Sequence, residues 1–225
     1  MVMHDPILST VDVVLLTLIN GALNVALVKR DNSEEPFFDA LALPGGYVHA
    51  NKDDNVRDAA ARVLLTKAGL VSPYLEEYGT VSGPLRDPRG WSLTVVHFAL
   101  VAPDTLLSPK MRMLPVSKLP SLAFDHKEII ARVVERVRSK STYSTLPVFL
   151  CPEEFTIPHL HSVYEALKGE PVPMASFRRK LEKLDVIEVV KTPSTPQPIS
   201  NSRPPTLYRM KLKYRESLAI RDRGI

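Results

Sequence analysis

Residues 43–70 read Leu43-Pro44-Gly45-Gly46-Tyr47-Val48-His49-Ala50-Asn51-Lys52-Asp53-Asp54-Asn55-Val56-Arg57-Asp58-Ala59-Ala60-Ala61-Arg62-Val63-Leu64-Leu65-Thr66-Lys67-Ala68-Gly69-Leu70, and their reading decides the fold. An apolar strand runs into a Gly-Gly turn. The acidic segment Asp53-Asp54-Asn55 suits a helix start, because carboxylates favour the positive end of the helix dipole. An alanine-rich helix from Asp58 to Lys67 follows and stops at Gly69. This is the outline of a loop and helix that handle phosphate. Backbone N–H groups near a helix start bind anions without any metal.

The stretch resembles the Nudix box, the loop–helix signature of enzymes that cleave nucleoside diphosphates linked to another group. That box reads Gly, five residues, Glu, seven residues, then Arg-Glu-apolar-x-Glu-Glu-x-Gly-apolar. Aligned from its end, Gly69 and Leu70 take the closing pair, Leu64 the apolar position and Arg62 the arginine. Asp54 falls where the first Glu belongs, with two extra residues between Gly46 and Asp54. The three helix glutamates are replaced by Val63, Thr66 and Lys67. In an active member those glutamates share one helix face and hold Mg²⁺, a hard cation that needs oxygen ligands. Valine offers none, and lysine puts a positive charge where the ion belongs. The resemblance therefore implies a module that binds without the usual hydrolysis, and requires no cofactor or metal.

Composition fits an ordinary globular chain of one large or two modest domains, with 44% hydrophobic and 24% charged residues. The longest apolar stretch, Val11 to Ile19, contains Asp12 and is about half a membrane span, so no membrane partner is expected. The N-terminus lacks the basic start and apolar core of a secretory signal. A single cysteine, Cys151, excludes an internal disulfide and fits a reducing cytoplasm. Charge is unevenly divided. Residues 1–150 hold 16 Lys+Arg and 16 Asp+Glu, whereas residues 151–225 hold 13 and 9. Between Pro173 and Arg215, ten basic residues face three acidic ones. A solvated surface explains many charge runs, but this asymmetry favours a polyanionic partner.

Val11 to Asn20 and Leu23 to Arg30 are apolar runs split at Asn20-Gly21-Ala22, a hairpin signal. Phe37 to Leu43 reads as a third strand, Tyr74 to Val81 as a fourth, and Trp91 to Val101 as a long buried one. Met111 to Val116 is a short strand. Asp125, with Glu128 three residues on, starts a helix whose apolar stripe is Ile129, Ile130, Val133, Val134 and Val137. Strands interleaved with two helices over residues 1–140 fit an α/β/α sandwich with a mixed sheet. The loop Leu85-Arg86-Asp87-Pro88-Arg89-Gly90 is open to two readings: a pair of arginines clamping a pyrophosphate, or an ordinary exposed turn.

Residues 141–154 are polar and then proline-containing, without periodicity, and read as a linker. Thr156 caps a helix with Pro158 in its first turn, carrying Leu160, Val163, Tyr164 and Leu167 on one face and ending at Gly169. A short turn leads to a second helix, Pro173 to Leu184, with Met174, Phe177, Leu181 and Leu184 inward. Ala175, Ser176, Arg179 and Lys183 point the other way, with Arg178 and Lys180 on the flanks. Asp185 to Lys191 and Thr206 to Met210 read as strands around a Pro/Ser/Thr-rich loop. Two helices and a hairpin over residues 155–225 make a winged helix-turn-helix plan, its second helix positioned for recognition.

Together the two halves resemble the NrtR-type transcriptional regulators of bacterial NAD metabolism. Leu43-Pro44-Gly45-Gly46-Tyr47-Val48 is similar to that family's loop, and Ala60-Ala61-Arg62-Val63-Leu64 to its degraded box helix. Asp87-Pro88-Arg89-Gly90 precedes its long strand. Phe177-Arg178-Arg179-Lys180-Leu181 is similar to its recognition helix and Arg203-Pro204-Pro205-Thr206-Leu207-Tyr208-Arg209 to its wing. This chain departs in the two added residues before Asp54 and in a proline-rich wing. The resemblance implies a homodimeric repressor on a palindromic double-stranded operator upstream of NAD synthesis or salvage genes. Its effector would be ADP-ribose, NAD or a related nucleotide such as ATP, held by Gly45, Gly46, Tyr47, Arg62, Arg86 and Arg89. Arg179, with Ser176, would approach base edges, since arginine pairs bidentately with guanine. Lys180, Lys183, Arg203 and Arg209 would hold phosphates, and Arg178 and Tyr208 complete the DNA-binding set.

Two other classes compete with this one. An active hydrolase would need oxygens from Asp53, Asp54 and Asp58 with Glu76 or Glu77, although carboxylates at a helix start need no metal to explain them. An RNA-binding module would need exposed stacking aromatics, and most of the few in the C-terminal third sit at core spacing. His159 and His161, two apart on a helix, make a poor metal pair. His97 alternates within a strand, and Cys151 reads as structural.

Overall fold

The computed structural model describes residues 7–71, 74–190 and 205–214. It divides into two compact units. One comprises the chain to residue 16 with 24–100 and 106–135, and the other comprises 17–23, 101–105 and the chain from 136 onward.

The first unit is built on a mixed sheet. Strands β1 (Leu8–Ile19), β2 (Ala22–Lys29), β3 (Leu41–Ala42), β4 (Gly45–Tyr47), β5 (Leu75–Gly83), β6 (Ser92–Leu100) and β7 (Met111–Pro115) lie in the order β3-β2-β1-β6-β5. β4 pairs with β1 and β7 with β2. β1 and β6 are parallel from Leu8 opposite Ser92 to Leu16 opposite Leu100, and the other pairs are antiparallel. The hairpin between β1 and β2 forms as its sequence dictates: Asn20 and Gly21 both take positive φ, at 51° and 74°, as a two-residue turn matched to strand twist requires.

Helix α1 (Val56–Val63) begins two residues before the expected start at Asp58, because Asn55 accepts the Asp58 N–H at 3.0 Å and caps it. It widens into a π-turn over Leu64–Ala68, and Gly69, at φ 69°, ends it. α1 packs on β4, β5 and β6. In helix α2 (His126–Ser141) the stripe Ile129, Ile130, Val133, Val134 and Val137 is buried as expected.

One expected strand fails: Phe37 to Leu43 is not a continuous strand. Phe37 and Asp39 take left-handed backbone, φ 58° and 70°, and pairing is confined to Leu41–Ala42. Phe37 instead packs edge-on against Phe124, ring centroids 4.7 Å apart, while Arg30 holds the loop through Pro36 O at 2.8 Å. Residues 141–154, read as a linker, carry a buried turn. Leu146–Leu150 forms a 3-10 turn in which all five residues are buried, with Ser144, Thr145 and Cys151. So short a turn of apolar residues has no 3.6-residue rhythm to betray it.

The second unit holds helices α3 (Ile157–Lys168) and α4 (Met174–Leu184) and a two-stranded sheet of β8 (Ile187–Val189) and β9 (Tyr208–Met210). Thr156 accepts the His159 N–H at 3.2 Å and caps α3, and Gly169 closes it at φ 73°. Phe177 meets Tyr164 and His161 edge-on, each at 5.1 Å between centroids. The turn between the helices is clamped from α3: His161 Nε2 donates to Val172 O at 2.5 Å, and Glu165 Oε1 accepts the Val172 N–H at 2.9 Å. Phe155 and Tyr208 exchange backbone hydrogen bonds at 2.9 and 2.8 Å, anchoring the hairpin to the segment before α3.

Candidate functional site

A cavity of about 350 Å³ opens in the first unit over the Gly-Gly loop and α1. That is within the usual size range of small-molecule sites. Gly45, Gly46, Tyr47, Arg62, Arg86 and Arg89, the whole expected ligand-binding set, line it.

Its floor is a buried polar cluster. Asp12 stands opposite Gly45 in the β1–β4 ladder. A Cβ on Gly45 would lie 2.1 Å from Asp12 Oδ1 and 3.0 Å from Val11 O, so only glycine lets the loop close on the strand. His126 Nδ1 accepts the Leu43 N–H at 3.0 Å, which fixes that nitrogen as unprotonated. Its Nε2 faces Asp12 Oδ1 at 3.6 Å. Burial holds the His126 pKa below the ordinary histidine value, although the Asp12 and Asp125 charges pull it upward. Arg86 forks onto Asp125 at 3.0 and 3.1 Å, donates to Ser92 Oγ at 3.3 Å and lies 3.9 Å from Asp12. The exposed-turn reading of this loop therefore fails at Arg86, whose side chain is 9% exposed. Its guanidinium is committed to carboxylates that fix the floor.

The rim is aromatic and cationic. Arg89 is held by Asp87 through Nε at 3.0 Å and Nη2 at 2.7 Å, and donates from Nη1 to the Tyr47 hydroxyl at 2.8 Å. Its guanidinium lies 5.5 Å from the Tyr47 ring centre and 6.0 Å from that of Phe124. Arg30 lies 5.0 Å from Phe124. Arg62 forks onto Asp53, both contacts 2.7 Å, and donates to Tyr47 O at 2.9 Å. The Arg62 hydrogen bonds, helped by the His49 N–H, hold the Asp53 carboxyl down at about 2. Arg62 thus ties the loop to the helix. Such a wall offers guanidinium edges to phosphate and a flat face to a planar ring.

The donor chemistry at the box positions departs from that of a Mg²⁺ site. Val63, Thr66 and Lys67, at the positions of the box glutamates, do line the cavity. They supply no carboxylate, and among the described residues no group of three His, Cys, Asp or Glu is placed to hold an ion. The oxygens needed by the hydrolase reading lie elsewhere: Asp53, Asp54, Asp58, Glu76 and Glu77 are all outside the cavity wall. Asp58 accepts from Asn55 Nδ2 at 2.9 Å, and Glu76 accepts from the Tyr74 hydroxyl.

Sequence reasoning missed Asp12, Phe124 and His126. A signal existed for Asp12, a charge inside an otherwise apolar strand. Nothing local marks Phe124, which takes φ 53°, or the burial of His126 at the start of α2.

In the second unit, Phe177 and Leu181 are buried, and Arg178, Arg179 and Lys183 stand exposed on α4. None of the three has a carboxylate partner among the described residues. Ser176 is half-buried and donates to Pro173 O at 2.9 Å, while Lys180 is half-buried with interactions of its own. Two expected DNA contacts are otherwise engaged. Arg209 donates to Glu188 at 2.7 Å across the hairpin, and Tyr208 spends its backbone on Phe155 and is half-buried. Arg203 lies outside the described residues. His161, set aside as a metal ligand, proves to hold the interhelical turn. Cys151 is buried, and burial pushes its thiol pKa up, consistent with an inert structural residue.

Residues 147–210 match the NrtR DNA-binding winged helix domain. The chain is 34% identical over 214 residues, 92% of its length and 83% of the relative's, to the ADPR responsive transcriptional repressor NtrR of Acinetobacter baylyi. The crystal structure of Shewanella oneidensis NrtR superposes with a TM-score of 0.85 at 34% identity, covering 97% of this chain and 100% of that one. The same protein complexed with a 27mer DNA gives 0.84 at 33%, covering 96% and 98%. Its Nudix domain complexed with ADP ribose gives 0.54 at 35%, covering 60% and 90%. An ADP-ribose pyrophosphatase of Methanocaldococcus jannaschii is 34% identical over 110 residues, 47% of this chain and 63% of that protein.

Proposed function

The chain belongs to the NrtR family, and from that premise we propose a ligand-controlled transcriptional repressor of NAD synthesis or salvage genes. Its winged helix binds operator DNA, and its Nudix-like cavity binds ADP-ribose, or NAD or ATP in its place, without cleaving it. The observation that carries this reading is the face of α1 and its π-turn. Val63, Thr66 and Lys67 point the box positions at a nucleotide-sized cavity with no carboxylate among them. A cavity lined by cations, in one chain with a helix whose Arg178, Arg179 and Lys183 stand exposed without a carboxylate partner among the described residues, is a sensor joined to a reader.

On DNA, α4 enters the major groove. Arg179 reaches base edges with Ser176 beside it, and Arg178, Lys180 and Lys183 hold phosphates. Arg203 and Arg209 add wing contacts, the latter after leaving Glu188. A homodimer presents two such helices to a palindromic site. The effector acts by binding one DNA-competence state more tightly than the other, and shifts the equilibrium by that difference alone.

The test is a fluorescence-anisotropy titration of the protein against DNA from its own upstream region. It is run with and without ADP-ribose, NAD and ATP, at two salt concentrations. Tight, sequence-selective binding that one nucleotide shifts is expected. Arg179→Ala abolishes operator binding and leaves effector binding and folding intact. Weak binding to every sequence that fades with salt would reduce α4 to a generic polyanion surface. Turnover of ADP-ribose with Mg²⁺ or Mn²⁺ would restore the hydrolase alternative.

A further inference from the structure

Six lysine and arginine side chains line the cavity: Lys29, Arg30, Arg62, Lys67, Arg86 and Arg89. Five are committed to a carboxylate. Lys29 pairs with Asp39 at 2.5 Å, Arg30 with Glu35 at 2.5 Å and Arg62 with Asp53 at 2.7 Å. Arg86 pairs with Asp125 at 3.0 Å and Arg89 with Asp87 at 2.7 Å. Lys67 alone of the six has no ion-pair partner among the described residues, and it is exposed. It also stands where the box carries the last of its three helix glutamates, on the face shared with Val63 and Thr66.

We propose that Lys67 is the resident substitute for a divalent cation in this cavity. Its ammonium holds the phosphate oxygens of the effector, so nucleotide binding needs no metal. The inference rests on the reading of the cavity as the effector site. A metal in this place would neutralise pyrophosphate through oxygen ligands supplied by the helix. Here the helix supplies no carboxylate, and a lysine, a compact charge with three donors and a common phosphate partner, occupies the same face. The paired guanidiniums have part of their charge cancelled locally. Lys67 keeps its own. Replacing helix carboxylates by Val63 and Thr66 also removes the repulsion a pyrophosphate would meet there in the absence of an ion.

The experiment is isothermal titration of the full chain with ADP-ribose, repeated with NAD, in EDTA and in Mg²⁺, for the native protein, Lys67→Gln and Lys67→Arg. Native affinity is expected to agree within about twofold between the two buffers. Loss of one charge-assisted contact in Lys67→Gln should weaken binding about ten- to a hundredfold in both. Lys67→Arg should restore most of it. Because Lys67 is exposed and unpaired, all three proteins should melt together, which separates a binding effect from misfolding. Native binding that needs Mg²⁺, or Lys67→Gln binding as tightly as native, would overturn the inference and leave the effector reading standing. Native protein that binds neither nucleotide in either buffer would overturn both.

Discussion

Replacing Arg86 by methionine separates a structural bridge from a ligand clamp. Methionine keeps the aliphatic stem and removes the guanidinium, so the change isolates charge and hydrogen bonding. In the native floor Arg86 makes two hydrogen bonds to Asp125, at 3.0 and 3.1 Å, and one to Ser92 at 3.3 Å. The side chains of Arg86, Asp12 and Asp125 are 9%, 8% and 19% exposed. Breaking a buried pair from one side costs about 3–5 kcal/mol, because the remaining charge is left without compensation. Asp125 is partly solvated and Asp12 retains His126, so the low end, about 3 kcal/mol, applies. At about 2–4 °C per kcal/mol for a chain of this size, the thermal midpoint should fall by roughly 6–12 °C. The assay is thermal unfolding followed by fluorescence, beside an ADP-ribose titration below the transition. Arg86→Met/Asp125→Asn should lose less than the sum of the single changes, since the second removes a charge the first had stranded. An unchanged midpoint with ADP-ribose binding abolished would refute the bridge and make Arg86 a clamp on the ligand.

Three further outcomes follow from the same geometry. Gly45→Ala should cost about 1–3 kcal/mol of overpacking and weaken effector binding, because its Cβ meets Asp12 and the Val11 carbonyl. Gly46→Ala, which meets only Val63 Cγ2 at 3.3 Å, should cost less, and denaturation midpoints of the two variants check the order. Stability should decline as pH falls below about 6.5. His97 and His126 both have pKa values lowered by burial, so the unfolded chain takes up protons that the native state resists. Their contribution is complete above the unfolded value and is lost on acidification. Midpoints measured from pH 7.5 to 5 should fall, and His126→Gln should flatten that slope; a slope unchanged in the variant would refute the role of His126. Phe177→Ala should cost about 3–5 kcal/mol, since its ring fills the contact with Tyr164 and His161. Loss of operator binding with the ADP-ribose affinity retained is the expected readout, and a variant that melts like native would refute the packing.

The sequence alone determined the strands with apolar runs, the capped helices and the turn at Asn20-Gly21, because these depend on neighbours within a few residues. It also determined the exposed cations of α4, whose positions follow from helical period, and the lack of a carboxylate at Val63, Thr66 and Lys67. The six expected ligand residues lie on one cavity for the same reason: each sits at a loop or helix position its local sequence specifies. Tertiary structure decided what those side chains do. Arg62, Arg86 and Arg89 read alike in sequence as cations for phosphate. Arg89 is braced by its loop neighbour Asp87 and Arg62 by Asp53 nine positions back, but Arg86 becomes a brace only through Asp125, 39 positions on. The same holds for Phe37, drawn out of a strand by Phe124, for the buried turn Leu146–Leu150, and for His126, whose role exists only once Asp12 and Leu43 converge on it. Local rules set which backbone a segment adopts, whereas burial and long-range pairing, as at Arg86 and His126, are set by which distant segments the sheet brings together.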